Sequence, residues 1–183
     1  VVVKKKQYGL NLIELMAVMV VLAVIMSTGV PALQNTIAST AVNAEARSIY
    51  KSITAARNEA INKNSVVTLA RKGSSANNWS EGWITYIDAG QEGNQAINTA
   101  DGDLLLSDFT VAQDAVTVYT NAAANNWITF DADGRLDDNP IEIAVCNLDR
   151  DNGLDGSMIA ISRAGRVSIS IIDAADKTSQ CSP

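Results

Sequence analysis

The sequence predicts an α+β fold in which one long N-terminal helix, first membrane-spanning and then amphipathic, packs on antiparallel β-sheet. Three observations lead there. Residues Leu10 to Val30 form a 21-residue run whose only charge is Glu14. Beyond Leu33, apolar residues recur at helical spacing. From Ser65 onward the pattern breaks into short β-rich runs separated by clusters of Asn, Asp, Gly and Ser. These divide the chain into a basic leader (1–9), a transmembrane helix (10–31), an amphipathic helix (32–64) and a globular β-rich domain (65–183).

The apolar run is long enough to cross a bilayer core of about 30 Å at roughly 1.5 Å per residue. Lys4, Lys5 and Lys6 precede it with no acid among the first nine residues, a bias that keeps the N-terminus in the cytoplasm and sends the C-terminal domain outward. An ordinary secretory signal would be cut after the run. Here Ser27, Thr28 and Gly29 are followed by Val30-Pro31 and more helix-forming sequence, which suits an anchor better. In the next segment Val42, Ala46, Ile49, Ile53, Ala56 and Ala60 form one stripe, with Glu45, Arg47, Lys51, Arg57 and Glu59 off it. The helix is expected to run from Leu10 to about Asn62, loosened or kinked at Gly29 and Pro31. Strands are expected at 66–71, 83–88, 115–120, 127–130, 141–146, 157–162 and 167–172. The longest connection, Ala89 to Asp103, reads as a mobile loop.

From Ser65 the chain carries 7 basic and 17 acidic side chains, a field that repels nucleic acid and anionic membrane surfaces. There is no histidine, so the commonest general base and the commonest zinc ligand are missing. Neither a nucleophile motif nor a phosphate-binding glycine loop is present, and no enzyme is expected. The two cysteines, Cys146 and Cys181, would form one disulfide in an exported domain and remain two thiols in a reducing compartment. Acidic clusters lie at 88–103, 131–139 and 149–156. Calcium would draw on Asp149, Asp151 and Asp155, yet the first glycine of that run falls one position early for an EF-hand loop and the closing glutamate is absent. Polar turns of this composition form commonly without metal, so no cofactor is expected.

Gly9-Leu10-Asn11-Leu12-Ile13-Glu14-Leu15-Met16, behind a basic leader and ahead of Pro31, resembles the processing motif of type IV prepilins and type II secretion pseudopilins. It departs at Leu10, usually phenylalanine, and at Asn11, usually threonine. The resemblance implies cleavage after Gly9 by a prepilin peptidase, methylation of the new N-terminus at Leu10, and packing of the apolar helix at a filament centre. Glu14 would then pair with the α-amino group of a neighbouring subunit's Leu10. An acid within hydrocarbon costs on the order of 3 kcal/mol, so such a residue normally marks a functional partner.

Farther along, Trp79-Ser80-Glu81-Gly82-Trp83-Ile84-Thr85-Tyr86-Ile87-Asp88 resembles a segment of the FimT/FimU minor pilins and the H-type pseudopilins. Phe130…Gly134-Arg135 and Ile161-Ser162-Arg163-Ala164-Gly165-Arg166-Val167 resemble that family's two later glycine–arginine turns. The resemblance implies a bacterial inner-membrane protein with a periplasmic domain, whose partners are other pilins or pseudopilins. Its work would be type IV pilus assembly at initiation or at the tip, serving twitching, adhesion or DNA uptake; the alternative is an H-type pseudopilin of type II secretion. The cysteine pair favours the pilus, because a C-terminal disulfide resembles pilin practice. Some FimT-type pilins bind DNA through a Gly-Arg-x-Arg turn. Here Ser168 replaces the second arginine, leaving Arg163 and Arg166 as a weak patch on an acidic domain. Trp79 and Trp83 read as core aromatics.

Overall fold

A computed structural model describes residues 11–91, 93–94, 96–112, 116–121, 126–137, 139–147, 156–172 and 181. Gly9, Leu10, Asp149, Asp151 and Asp155 lie outside these. The elements in chain order are α1 (Leu12–Lys63), β1 (Val67–Arg71), β2 (Trp83–Ile87), β3 (Leu104–Phe109), β4 (Val116–Thr120), β5 (Trp127–Phe130), β6 (Ile141–Asn147), β7 (Gly156–Ile161) and β8 (Val167–Ile172).

Both ends of α1 are set by asparagines. The Asn11 carbonyl accepts the N–H groups of Glu14 and Leu15 at 3.0 and 3.1 Å, so Asn11 serves as N-cap, and Glu14 brings a carboxylate to the positive end of the helix dipole. At the other end Asn64 turns left-handed (φ 50°) and the Ser65 N–H reaches back to the Ala60 carbonyl at 3.2 Å, a C-terminal stop that asparagine tolerates well. Between them the helix continues through position 31, so the expected loosening at Gly29 and Pro31 does not interrupt it.

The chain divides into two compact units, Val1–Ile37 and Ala38–Pro183. In the first, Leu12–Val30 has a mean hydropathy of 2.3 and none of it is buried, which makes it long and apolar enough to cross a membrane. In the second, the strands form two four-stranded antiparallel sheets, ordered β3-β2-β1-β5 and β4-β6-β7-β8. The sequence reading had one sheet. Strand periodicity places residues on faces but carries no pairing information, and β5 joins β1 through Leu69↔Ile128 instead of continuing with β4 or β6.

One core lies within the second unit. The predicted helix stripe, Val42 to Ala60, is fully buried against Val67, Leu69, Trp83, Ile128 and Phe130 of the first sheet and Val118, Ile143, Val145, Ile159 and Ile161 of the second. Two residues placed off that stripe are drawn in. Glu45 is 5% exposed and Arg57 is half-buried. The helix lies between two sheets, so a wider arc is covered than one sheet would cover.

Two further expectations fail. β3 is a strand where the sequence reading expects none. It is an edge strand with an irregular register opposite Thr85 and Tyr86, and Leu104 and Leu105 stay exposed, so the alternation that marks a half-buried strand is absent. The connection before it is also better organised than a mobile loop. Asp88 accepts the Gly93 N–H at 2.8 Å, and Asp103 accepts the N–H groups of Ala89 and Asn98 at 2.9 and 2.8 Å. Thr68, Tyr86 and Thr129 lie in register across the outer face of the first sheet, and Thr68 bonds both Asp88 and Thr129. The Tyr86 hydroxyl donates to the Asn94 carbonyl, and burial beside Asp88 pushes its pKa up to about 12. Two nearly buried carboxylates thus hold the loop by satisfying its backbone donors.

Candidate functional site

The most built feature outside the helix is a pair of turns. Between β5 and β6, the Gly134 N–H donates to the Asp131 carbonyl at 2.8 Å and the Asp131 N–H to Arg135 at 2.9 Å. Between β7 and β8, the Gly165 N–H donates to Ser162 at 2.8 Å and the Ser162 N–H to Arg166 at 3.0 Å. Both glycines are left-handed, with φ of 77° and 71°, a conformation other residues adopt at a cost. The turns touch: a Cβ on Gly165 would lie 2.0 Å from the Gly134 carbonyl oxygen and 2.6 Å from Arg57 Nε. The Leu136 N–H also donates to the Arg163 carbonyl across the gap at 3.1 Å.

Arg57 of α1 closes this junction. Its Nε donates to the Gly134 carbonyl at 2.9 Å and its terminal nitrogen to the Ala164 carbonyl at 3.4 Å. One guanidinium from the helix therefore ties both turns down, a use of its donor fork that lysine could not reproduce. The sequence reading placed Arg57 off the apolar stripe and gave it no role. No signal short of knowing that the two turns meet would have identified it.

The junction leaves Arg135, Arg163 and Arg166 exposed on neighbouring turns. Arg135 is engaged with Asp133, whose carboxyl the Arg135 backbone N–H and then its side chain hold below the ordinary range. Asp131 is shifted the other way, first by burial and then by Asp137 and Asp133. Arg166 borders an open hollow of about 310 Å³ that it shares with Glu142. Arg163 and Arg166 thus stand exposed on one turn, with Glu142 beside Arg166.

Elsewhere Cys146 and Cys181 form a disulfide with Cα atoms 5.9 Å apart, buried with Ala144, Ile172 and Met158 in a satellite cluster. Trp79 and Trp83 are fully buried, and Trp83 stacks on Phe109 with ring centroids 4.4 Å apart, so neither is a binding platform. Among the described residues no three acidic or sulfur ligands gather as a metal site. Asp88 and Asp103 spend their oxygens on backbone donors instead. Glu14 is exposed in the first turn of α1, on the apolar segment.

A family model for the type II transport protein GspH matches residues 45–170. The chain belongs to the GspH family. The match runs from Glu45, in the C-terminal part of α1, through β1 to β7 and into β8. No match was found among curated protein sequences. Two solved structures of the type IV minor pilin FimU from Pseudomonas aeruginosa are similar in fold. One has 20% identity and a TM-score of 0.56 over 70% of this chain and 87% of that one. The other has 21% identity and a TM-score of 0.50 over 74% and 91%. The minor pseudopilin EpsH of the Vibrio cholerae type 2 secretion system aligns at 11% identity and a TM-score of 0.51, over 70% of this chain and 95% of that one. The α+β, pilin-like architecture and the relationship to H-type proteins expected from the sequence are as predicted, and the likeness to FimU is one of fold. Within the GspH family the glycine–arginine turns acquire a structural reading, since the same glycines that permit the turns also let them pack on Arg57.

Proposed function

We propose that this GspH-family protein is a minor pilin subunit taking part in type IV pilus assembly, in the initiation or tip complex, and so supporting twitching, adhesion or DNA uptake. The carrying observation is that a helix with an uncovered apolar segment and an acid in its first turn belongs to the same chain as a GspH-type domain. On this reading residues 1–9 are a leader removed by a prepilin peptidase, and Leu10 becomes a methylated N-terminus. Residues 10–31 anchor the subunit in the bacterial inner membrane, 32–64 continue the helix, and 65–183 are periplasmic. Partners are other pilins, met through the apolar helix and through Glu14. The disulfide supports the pilus over the secretion system.

The family description and the likeness to EpsH favour a second reading, an H-type pseudopilin of type II secretion built the same way. Neither reading calls for enzymatic chemistry or a cofactor, and Arg163 and Arg166 contribute at most weak DNA contact.

Mass spectrometry of the mature protein tests the processing step, with Leu10 expected as the first residue; an intact leader in cells holding the peptidase would sink it. Glu14→Ala should leave membrane insertion intact and lower incorporation into filaments by about ten-fold or more, given the roughly 3 kcal/mol attached to an acid in hydrocarbon. Recovery in pili or in secretion pseudopili separates the two readings.

A further inference from the structure

Four strands form the rims of the two sheets: β3 and β5 in one, β4 and β8 in the other. A rim strand with free N–H and C=O groups is a template for another chain, and folded proteins normally blunt it. Three of the four are blunted here. The Trp79 N–H donates to the Val118 carbonyl at 2.8 Å and the Thr120 N–H to the Asn77 carbonyl at 3.0 Å, so the chain's own backbone covers β4. The Asp137 N–H donates to the Thr129 carbonyl at 3.1 Å, and Phe130 bridges Leu136, which covers β5. β3 is irregular in register and carries Asp108, paired with Lys72.

β8 has no such guard. Val167-Ser168-Ile169-Ser170-Ile171-Ile172 includes no charge and no proline, and its register with β7 is unbroken. The Ser162 N–H donates to the Arg166 carbonyl at 3.0 Å, which makes these two a bonded pair. Bonded pairs alternate along an antiparallel ladder, so Ser168 and Ser170 bond to β7, while Val167, Ile169 and Ile171 aim their N–H and C=O groups outward. Among the described residues no backbone group meets them. The same three side chains stand on the face that Ile159 and Ile161 turn to the core, yet Ile169 is 46% exposed and Ile171 70%.

We propose that β8 receives one extended strand from a different pilin or pseudopilin subunit, with apolar side chains at every second position covering Ile169 and Ile171. The proposal rests on the filament reading for the identity of that neighbour. A free row of backbone donors and acceptors fixes the occupant's conformation, and the alternating side chains select its sequence. Charge adds a further constraint. Exposed Arg163 and Arg166 stand at the head of an uncharged strand, on a domain with 7 basic and 17 acidic side chains from Ser65 onward, so the occupant carries an acid where it passes them. A second copy is excluded on the same reading. With its other rims blunted, it could offer only its own β8, about a two-fold axis, and neighbours in a polar filament all point one way.

The test uses the tagged full-length chain, solubilised in detergent from membranes of the producing cells together with the pilin or pseudopilin subunits bound to it. In that complex the backbone amides of Val167–Ile172 should exchange at least about ten-fold more slowly than in the chain purified alone, with Leu104–Phe109 unchanged. Ile171→Lys places a charge on the rim at a position 70% exposed, and should lower recovery of those subunits at least about five-fold. Leu105→Lys on β3 should leave recovery as it was. Ile169→Pro removes an outward N–H, spares the bonds to β7, and should act as Ile171→Lys does. Unchanged recovery with Ile171→Lys, or no added protection of β8 in the complex, overturns the proposal and leaves the filament reading standing. Full protection in the chain alone also overturns it: loss on dilution would identify a second copy on the edge, and persistence would identify residues 173–180. Protection of β8 by a protein that is neither pilin nor pseudopilin, or recovery of no such subunit, would refute the filament reading and the neighbour drawn from it.

Discussion

Gly165→Ala attacks the junction where α1 and the two glycine–arginine turns meet. The methyl group would lie 2.0 Å from the Gly134 carbonyl oxygen, so that carbonyl must move, and it is the acceptor of the 2.9 Å bond from Arg57 Nε. Two costs combine. Holding alanine in a left-handed conformation takes about 1–2 kcal/mol. Losing a hydrogen bond to a charged donor takes about 1.5–3 kcal/mol more. The total, about 3–5 kcal/mol, would lower a urea midpoint by about 2 M at a slope of about 2 kcal/mol per M. Gly102→Ala is the control, because its φ is 94° but its Cβ would meet nothing nearer than 3.6 Å, leaving only the conformational cost. Urea unfolding of the fragment from Gln34 onward, followed by tryptophan fluorescence, measures both. In an Arg57→Met background the Gly165→Ala cost should shrink toward the Gly102→Ala value, a coupling of about 1.5–3 kcal/mol. Equal costs for Gly165→Ala and Gly102→Ala, or no coupling to Arg57, would refute the account of Arg57 as the clip.

Replacing both Cys146 and Cys181 with alanine opens a loop closed over a sequence separation of 35, and should cost about 4 kcal/mol or somewhat less in the chain-entropy picture; urea midpoints with and without reductant check it, and an unchanged midpoint would contradict it. Burial raises the Glu45 carboxyl above its ordinary value, so the folded state binds the proton more tightly than the unfolded chain does. Stability that Glu45 retains below about pH 4.3 is therefore lost as pH rises through its elevated folded pKa. Glu45→Gln should gain about 1 kcal/mol at pH 7 and nothing at pH 4, a difference read from paired urea curves; a gain independent of pH would show that charge is not the cause. The domain should bind duplex DNA weakly in a low-salt gel shift, Arg166→Gln should remove most of what binds and flatten the salt slope by about one unit, and Ser168→Arg should strengthen it. Micromolar binding by the unaltered domain would contradict that expectation.

Which parts of this molecule are legible in its sequence follows from what each signal measures. The stripe from Val42 to Ala60 is a one-dimensional record of burial, and all six residues are buried. Seven of the eight strands announce themselves through β-branched and apolar runs. β3 does not, because an edge strand with exposed Leu104 and Leu105 has no buried face to write into the sequence. The single-sheet expectation fails for a related reason: Val67↔Phe130 and Ile143↔Ile159 are pairings between segments, and periodicity says nothing about partners.

The proposed functional residues and the structural ones divide along the same line. Glu14 is legible because a carboxylate inside an apolar run contradicts its surroundings, and Cys146 and Cys181 are legible because there are only two cysteines to pair. Arg57 and Thr85 contradict nothing in the sequence. An arginine off a helix stripe and a threonine in a β-strand are ordinary, and each becomes informative only when three dimensions supply its neighbours. For Arg57 those neighbours are two carbonyls, so its positive charge is spent inside the subunit. For Thr85 no hydrogen-bond partner is supplied, although its hydroxyl is buried. Arg47, Lys51 and Lys63, which resemble Arg57 in sequence, are helix cations left exposed. The helix of this GspH-family chain thus sorts its charges by depth: Arg57 ties two turns of its own domain, while Arg47, Lys51 and Lys63 stay at the surface.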